Sequence, residues 1–159
     1  MDLIKETDFM IDDFAAAAEP QHREFVMTVH EKLTACGYKM KIEKKTNGLF
    51  VSYSHPKTKR SALNLFFRKK GLFVRLYPDG ITGCGDILNS LSESMVKEID
   101  KALLCKRLIN PDECNPKCIM GYDFNINGKR FIKCRYMCFK FAVTEESKYI
   151  LTEWINKGY

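Results

Sequence analysis

Four consecutive segments between Lys39 and Tyr77 alternate apolar and polar side chains and are separated only by short, turn-rich breaks. A period of two puts one side of each segment in a core and the other in water, which is the pattern of a half-buried strand. Lys39–Lys44 sets Met40 and Ile42 against Lys39, Lys41 and Glu43, and Thr46-Asn47-Gly48 then makes a tight turn. Leu49–Ser54 follows, then the loop His55-Pro56-Lys57-Thr58, then Ala62–Arg68 with Leu63, Leu65 and Phe67 on one side. Lys69-Lys70-Gly71 turns the chain into Leu72–Tyr77. Connections this short leave no room for a crossover helix, so the strands form an antiparallel meander. One face of such a sheet needs a cover, and the flanking segments supply helices for it.

The spacing of Phe25, Val26, Val29, Leu33 and Cys36 predicts a helix over 20–36, with Pro20 in its first turn and Gly37 as its stop. Residues 8–18 form a separate short helix. Pro78 to Asn89 reads as a glycine-containing loop. A helix follows over about 91–106, with Leu91, Met95, Val96, Ile99, Ala102 and Leu103 on one stripe and Ser90 or Ser92 as cap. After a loop from Asn110 to Lys117, Gly121–Ile126 and Arg130–Cys134 flank Asn127-Gly128, a strong hairpin signal. Phe139–Val143 is a further strand, and Thr144 caps a last helix through Trp154. The 159 residues suit a single domain, 1–159. Its expected fold is α+β: an antiparallel β-meander packed against helices (1–107), with a docked C-terminal cysteine-bearing β-hairpin and helix (108–159).

The net charge of +6 conceals a segregation. Residues 44–78 carry nine bases and no acid, among them Lys57, Lys59, Arg60, Arg68, Lys69, Lys70 and Arg75. Residues 114–141 add six bases, including Lys133 and Arg135, against Asp123 alone. A one-signed surface concentrates anions such as a phosphate backbone. Lysines on strand edges also prevent edge-to-edge association, and that reading fits the same residues. Phe50, Tyr53, Phe66, Phe67, Phe73 and Tyr77 interleave with the arginines of the meander. Aromatic platforms among cations bind single-stranded nucleic acid, while aromatic side chains are also ordinary core strand formers.

Seven cysteines, an odd number, stand in a chain whose N-terminus is acidic and lacks the basic-then-apolar order of an export signal. Thiols or thiolate ligands in a reducing, cytoplasmic compartment are expected, with no membrane span. Cys114 and Cys118 form one pair and Cys134 and Cys138 another with the same spacing, fifteen residues apart. Two such pairs joined by a hairpin can give four thiolates to one structural zinc, which would leave no open position for substrate. A set of buried free thiols is the alternative. Cys84, in Gly83-Cys84-Gly85 ahead of a helix, is the candidate nucleophile for a thiol enzyme, or simply a small residue in a tight loop. No Ser-His-Asp set, metalloprotease helix or carboxylate pair is legible, so nothing in the sequence supports an enzyme.

Helix, meander and helix over about 20–106, with Leu49-Phe50-Val51 and Leu72-Phe73-Val74-Arg75-Leu76-Tyr77-Pro78 as strands, resemble the small frataxin-like α/β domains of Gram-positive bacteria. The resemblance implies intracellular metal handling, for which the acidic segment with Asp2, Glu6, Asp8, Asp12, Asp13 and Glu19 would serve. It does not extend to the cysteine tail. The leading expectation is a small non-enzymatic binding protein. Its tail would hold zinc, and its basic surface would engage an anionic partner such as nucleic acid.

Overall fold

A computed structural model describes residues 9–159. Two helices open it, α1 (Ile11–Ala17) and α2 (Pro20–Ala35). Pro20 occupies the first turn of α2, where its missing N–H breaks no helical bond. The helix closes on Gly37 at φ +86°, with the Tyr38 N–H donating to Leu33 and the Gly37 N–H to Thr34, both at 3.0 Å. The left-handed glycine thereby satisfies carbonyls that the helix end would leave bare.

Strands β1 (Lys39–Lys45), β2 (Gly48–Ser54), β3 (Ser61–Arg68) and β4 (Gly71–Leu76) pair antiparallel in chain order, as the alternation predicts. Their register aligns Ile42, Val51, Leu65 and Val74 in one buried row. The helices lie on that face: Phe14 of α1 stacks on Phe67 at 4.7 Å, and His30 Nδ1 of α2 lies 2.9 Å from the Tyr53 hydroxyl.

The stretch 78–89 is more ordered than a loop. It contains a 3-10 turn, Ile81–Cys84, and a short helix α3 (Gly85–Asn89), drawn in because Ile87 and Leu88 reach the core. The helix expected over 91–106 is cut back at both ends to α4 (Glu93–Lys101). At its start the Ser92 hydroxyl accepts from the Met95 N–H at 3.3 Å. At its end Ala102 turns extended, and the following residues pair with the C-terminal hairpin. Cys134 N–H donates to Leu103 at 2.8 Å and Cys105 N–H to Ile132 at 3.3 Å. Long-range pairing overrides an apolar spacing that suits a longer helix. A single turn, α5 (Lys106–Ile109), follows.

The hairpin forms as β5 (Tyr122–Ile126) and β6 (Lys129–Lys133) around Asn127 and Gly128, both at positive φ. Strand β7 (Phe139–Ala142) then pairs antiparallel with β4, completing a five-stranded sheet ordered β1-β2-β3-β4-β7. Thr144 and Ser147 cap each other's N–H groups and start α6 (Glu145–Gly158). The fold is therefore α+β, an antiparallel sheet with helices, a hairpin and a terminal helix. The tail contributes the sheet's fifth strand. No helix among the described residues is long and apolar enough to cross a membrane.

Two cations predicted for the surface are instead part of this framework. Lys133 is 6% exposed, and its ammonium donates to the carbonyls of Asp100 (2.8 Å) and Ala102 (3.0 Å), closing the C-terminus of α4. Arg135 is 9% exposed; its guanidinium lies 5.0 Å from the Tyr122 ring and 3.2 Å from Asp79 Oδ1.

Candidate nucleic-acid interface and cysteine groove

The sheet face away from α1 and α2 carries an aromatic ladder. Phe50 of β2, Phe66 of β3 and Phe73 of β4 stack side by side, with centroids 5.7 and 5.9 Å apart and ring planes within 23° of each other. Alternation dictates this: Val51, Leu65 and Val74 point to the helices, so their odd-step neighbours point away. The guanidiniums of Arg75 and Arg68 sit 5.0 and 5.1 Å from the Phe66 centroid, and Lys45 Nζ lies 5.9 Å from that of Phe50. Phe66 is roofed by these groups and only 4% exposed, whereas Phe50 and Phe73 are half-buried. A cavity of about 290 Å³ opens at the β1–β2 turn, lined in part by Lys45, Phe50, Phe66 and Arg68.

Beside the ladder, the register sets Asn64 opposite Arg75 and Arg75 opposite Lys140. Asn64 donates through Nδ2 to the Tyr77 hydroxyl at 3.0 Å, but its Oδ1 and the Arg75 Nε are buried without a hydrogen-bond partner. Such groups carry a desolvation cost within the fold. Burial, and then the nearby charges of Arg75 and Arg68, hold the Lys140 ammonium below the ordinary lysine value, with Glu98 opposing them. Three cations crowded on a half-buried face favour an arriving anion.

The predicted basic residues divide by position. Arg68, Lys69 and Lys70 lie at one end of the meander, and Arg75 lies on the ladder face. Lys57, Lys59 and Arg60 occupy the β2–β3 loop at the other end. Lys45 and Lys140 join the ladder. Lys45 and Lys140 both belong to the acid-poor stretches legible in the sequence, but only the β4–β7 pairing sets Lys140 beside Arg75. Of the six aromatic residues, Tyr53 and Phe67 belong to the helix-covered face.

The cysteines fall out differently from their spacing. Cys138 is 1% exposed within the core, and burial raises its thiol above the ordinary cysteine value. Cys114, Cys118 and Cys134 line a groove of about 810 Å³, and the fourth cysteine there is Cys105. Among the described residues no three or more Cys, His, Asp or Glu side chains are gathered in a form that could hold a metal ion. The groove floor depends on Gly121, where a Cβ would lie 2.1 Å from the Lys133 carbonyl oxygen and 3.0 Å from Cys105 Sγ. Gly121→Ala is therefore expected to cost about 1–3 kcal/mol through overpacking. A urea midpoint equal to that of the unsubstituted chain would show that this close approach is not maintained.

Cys84 lines a cavity of about 100 Å³ with Asp86, Trp154 and Lys157; no histidine lines it. The Asp13 carboxylate accepts from the Met10 N–H at 2.8 Å and so starts α1. Asp2, Glu6 and Asp8 lie outside the described residues. Comparison with protein families, curated proteins and solved structures finds no match for this chain.

Proposed function

We propose that the chain binds single-stranded nucleic acid on the open sheet face. Phe50 and Phe73 act as stacking platforms, and Arg68, Arg75 and Lys140 receive the phosphates. The observation that carries this reading is the Phe50–Phe66–Phe73 ladder, flanked by cations on the face opposite α1 and α2. Every base has a π-face, so such a platform accepts bases with little regard to sequence, and each stacked base contributes about 1–3 kcal/mol.

Anisotropy titrations of single-stranded and duplex oligonucleotides over a salt series test it. Single strands should bind more tightly, with affinity falling as salt rises. Phe50→Ala and Phe73→Ala should each weaken binding by roughly 5- to 150-fold, the equivalent of one lost stack. No binding at low salt, or variants indistinguishable from the parent, would remove the proposal.

Lys140 supplies a test with the opposite sign for stability. Its depressed pKa means that its charge opposes folding, most strongly below the folded-state pKa, with relief as pH rises toward the ordinary lysine value. Lys140→Met should therefore raise the urea midpoint while weakening oligonucleotide binding. A bound phosphate would favour the protonated form, so binding should also weaken as the solution is made alkaline. Reduced stability together with unchanged affinity would contradict the role assigned to Lys140.

A further inference from the structure

We infer that the groove beside α5 binds a small lipophilic carboxylate, an apolar chain carrying one acid group. Its volume of about 810 Å³ lies in the range of small-molecule sites. Of the seven large apolar side chains exposed among the described residues, three line this one groove: Leu103 (66% exposed), Leu104 (57%) and Ile109 (60%). Scattered exposed apolar residues are ordinary, whereas several gathered in one concavity mark a binding surface. The backbone holds the two leucines open. The Cys134 N–H donates to Leu103 at 2.8 Å and the Cys105 N–H to Ile132 at 3.3 Å, so 103–105 runs as a strand beside β6. Cys105, Cys114, Cys118 and Cys134 extend the same lining, because a thiol packs as a small polarisable apolar group.

Charge in the lining selects the acid. Lys133 is buried, and its ammonium donates to the Asp100 and Ala102 carbonyls, which occupies two of its three N–H groups. Among the described residues no carboxylate lies within ion-pair distance of it; that of Asp100 faces Lys129 at 3.4 Å instead. A buried charge is ordinarily paired, and a carboxylate that reaches the third N–H supplies the missing partner. Buried Arg135 and exposed Lys106 line the same groove, against the exposed acids Asp100 and Glu113. With the acid group at Lys133, the apolar chain lies along Leu103, Leu104 and Ile109, and each methylene removed from water adds to the affinity. The groove shares no lining residue with the aromatic ladder, so the two sites stand or fall separately.

The test is calorimetric titration of the reduced full chain with decanoate and, separately, with decyltrimethylammonium, both below their micelle concentrations. Decanoate should bind with one equivalent, and the cation of equal chain length roughly 10- to 150-fold more weakly, the worth of one hydrogen bond to a charged group. Iodoacetamide labelling places the site: decanoate should slow alkylation of Cys118 and Cys134 in the groove and leave exposed Cys36, at the end of α2, unchanged. Leu104→Glu, at an exposed position, and Lys133→Gln should each weaken decanoate binding at least roughly tenfold. Absence of saturable decanoate binding would overturn the inference. So would equal affinity for the two amphiphiles, protection that extends to Cys36, or unchanged binding in Leu104→Glu. If circular dichroism shows Lys133→Gln to be unfolded, the charge preference of the parent and Leu104→Glu decide alone.

Discussion

Phe139→Ala should lower the unfolding free energy by about 3–5 kcal/mol, the range for removing a fully buried phenylalanine. Phe139 is completely buried, and its ring lies 5.1 Å from Tyr122, 5.3 Å from Phe124 and 5.0 Å from Trp154. It stands on β7 opposite Leu76 of β4, so one side chain joins the sheet, the β5–β6 hairpin and α6. Tyr122 and Phe124 come from the hairpin and Trp154 from the last helix, and no single element can collapse into the space left behind. Against a typical domain stability of about 5–15 kcal/mol, the loss is a large fraction of the whole. Urea denaturation measures it directly. A change under about 1 kcal/mol would mean that the hairpin and α6 do not meet over β7.

Lys133→Met should be the second most damaging change, although it replaces a charged residue with an apolar one of similar length. The ammonium of Lys133 is the donor to two carbonyls at the end of α4, Asp100 and Ala102. Methionine keeps the buried stem and removes the donor, leaving two acceptors facing a buried site at about 1–3 kcal/mol each. Water from the adjoining groove offsets part of this, so a net loss of about 2–4 kcal/mol is expected by the same reckoning. Lys69→Met, on an exposed turn, should change stability by no more than about 0.5 kcal/mol. If both substitutions were equally mild, Lys133 would be an ordinary surface lysine, as the charge pattern alone suggests.

The contrast between these two lysines marks how far local pattern reaches. In the sequence both stand in acid-poor stretches, and nothing within a few residues distinguishes them. Lys133 is buried because α4 ends where β6 begins to pair, a contact between residues more than thirty positions apart. The same long-range pairing shortens the helix expected over 91–106 and places Cys105 in the groove. Cys138 shows the complementary effect: it repeats the spacing of Cys114 and Cys118, yet it immediately precedes Phe139, and the core that Phe139 organises takes the thiol with it.

Period-two alternation, turn glycines, Asn127-Gly128 and the Thr144 cap were enough to read the meander, the hairpin and both long helices, because each rests on steric and hydrogen-bonding preferences of a few neighbouring residues. The same alternation splits the aromatic residues of the meander between two faces, but it does not say which face the helices cover. That choice belongs to packing: Phe14 seats on Phe67 and His30 meets Tyr53, which leaves Phe50, Phe66 and Phe73 on the other side with Arg68, Arg75 and Lys140. Lys140 and Cys105 join their clusters only through strand partners distant in the chain. Such contacts depend on the free energy of the assembled core, which no short window of residues contains.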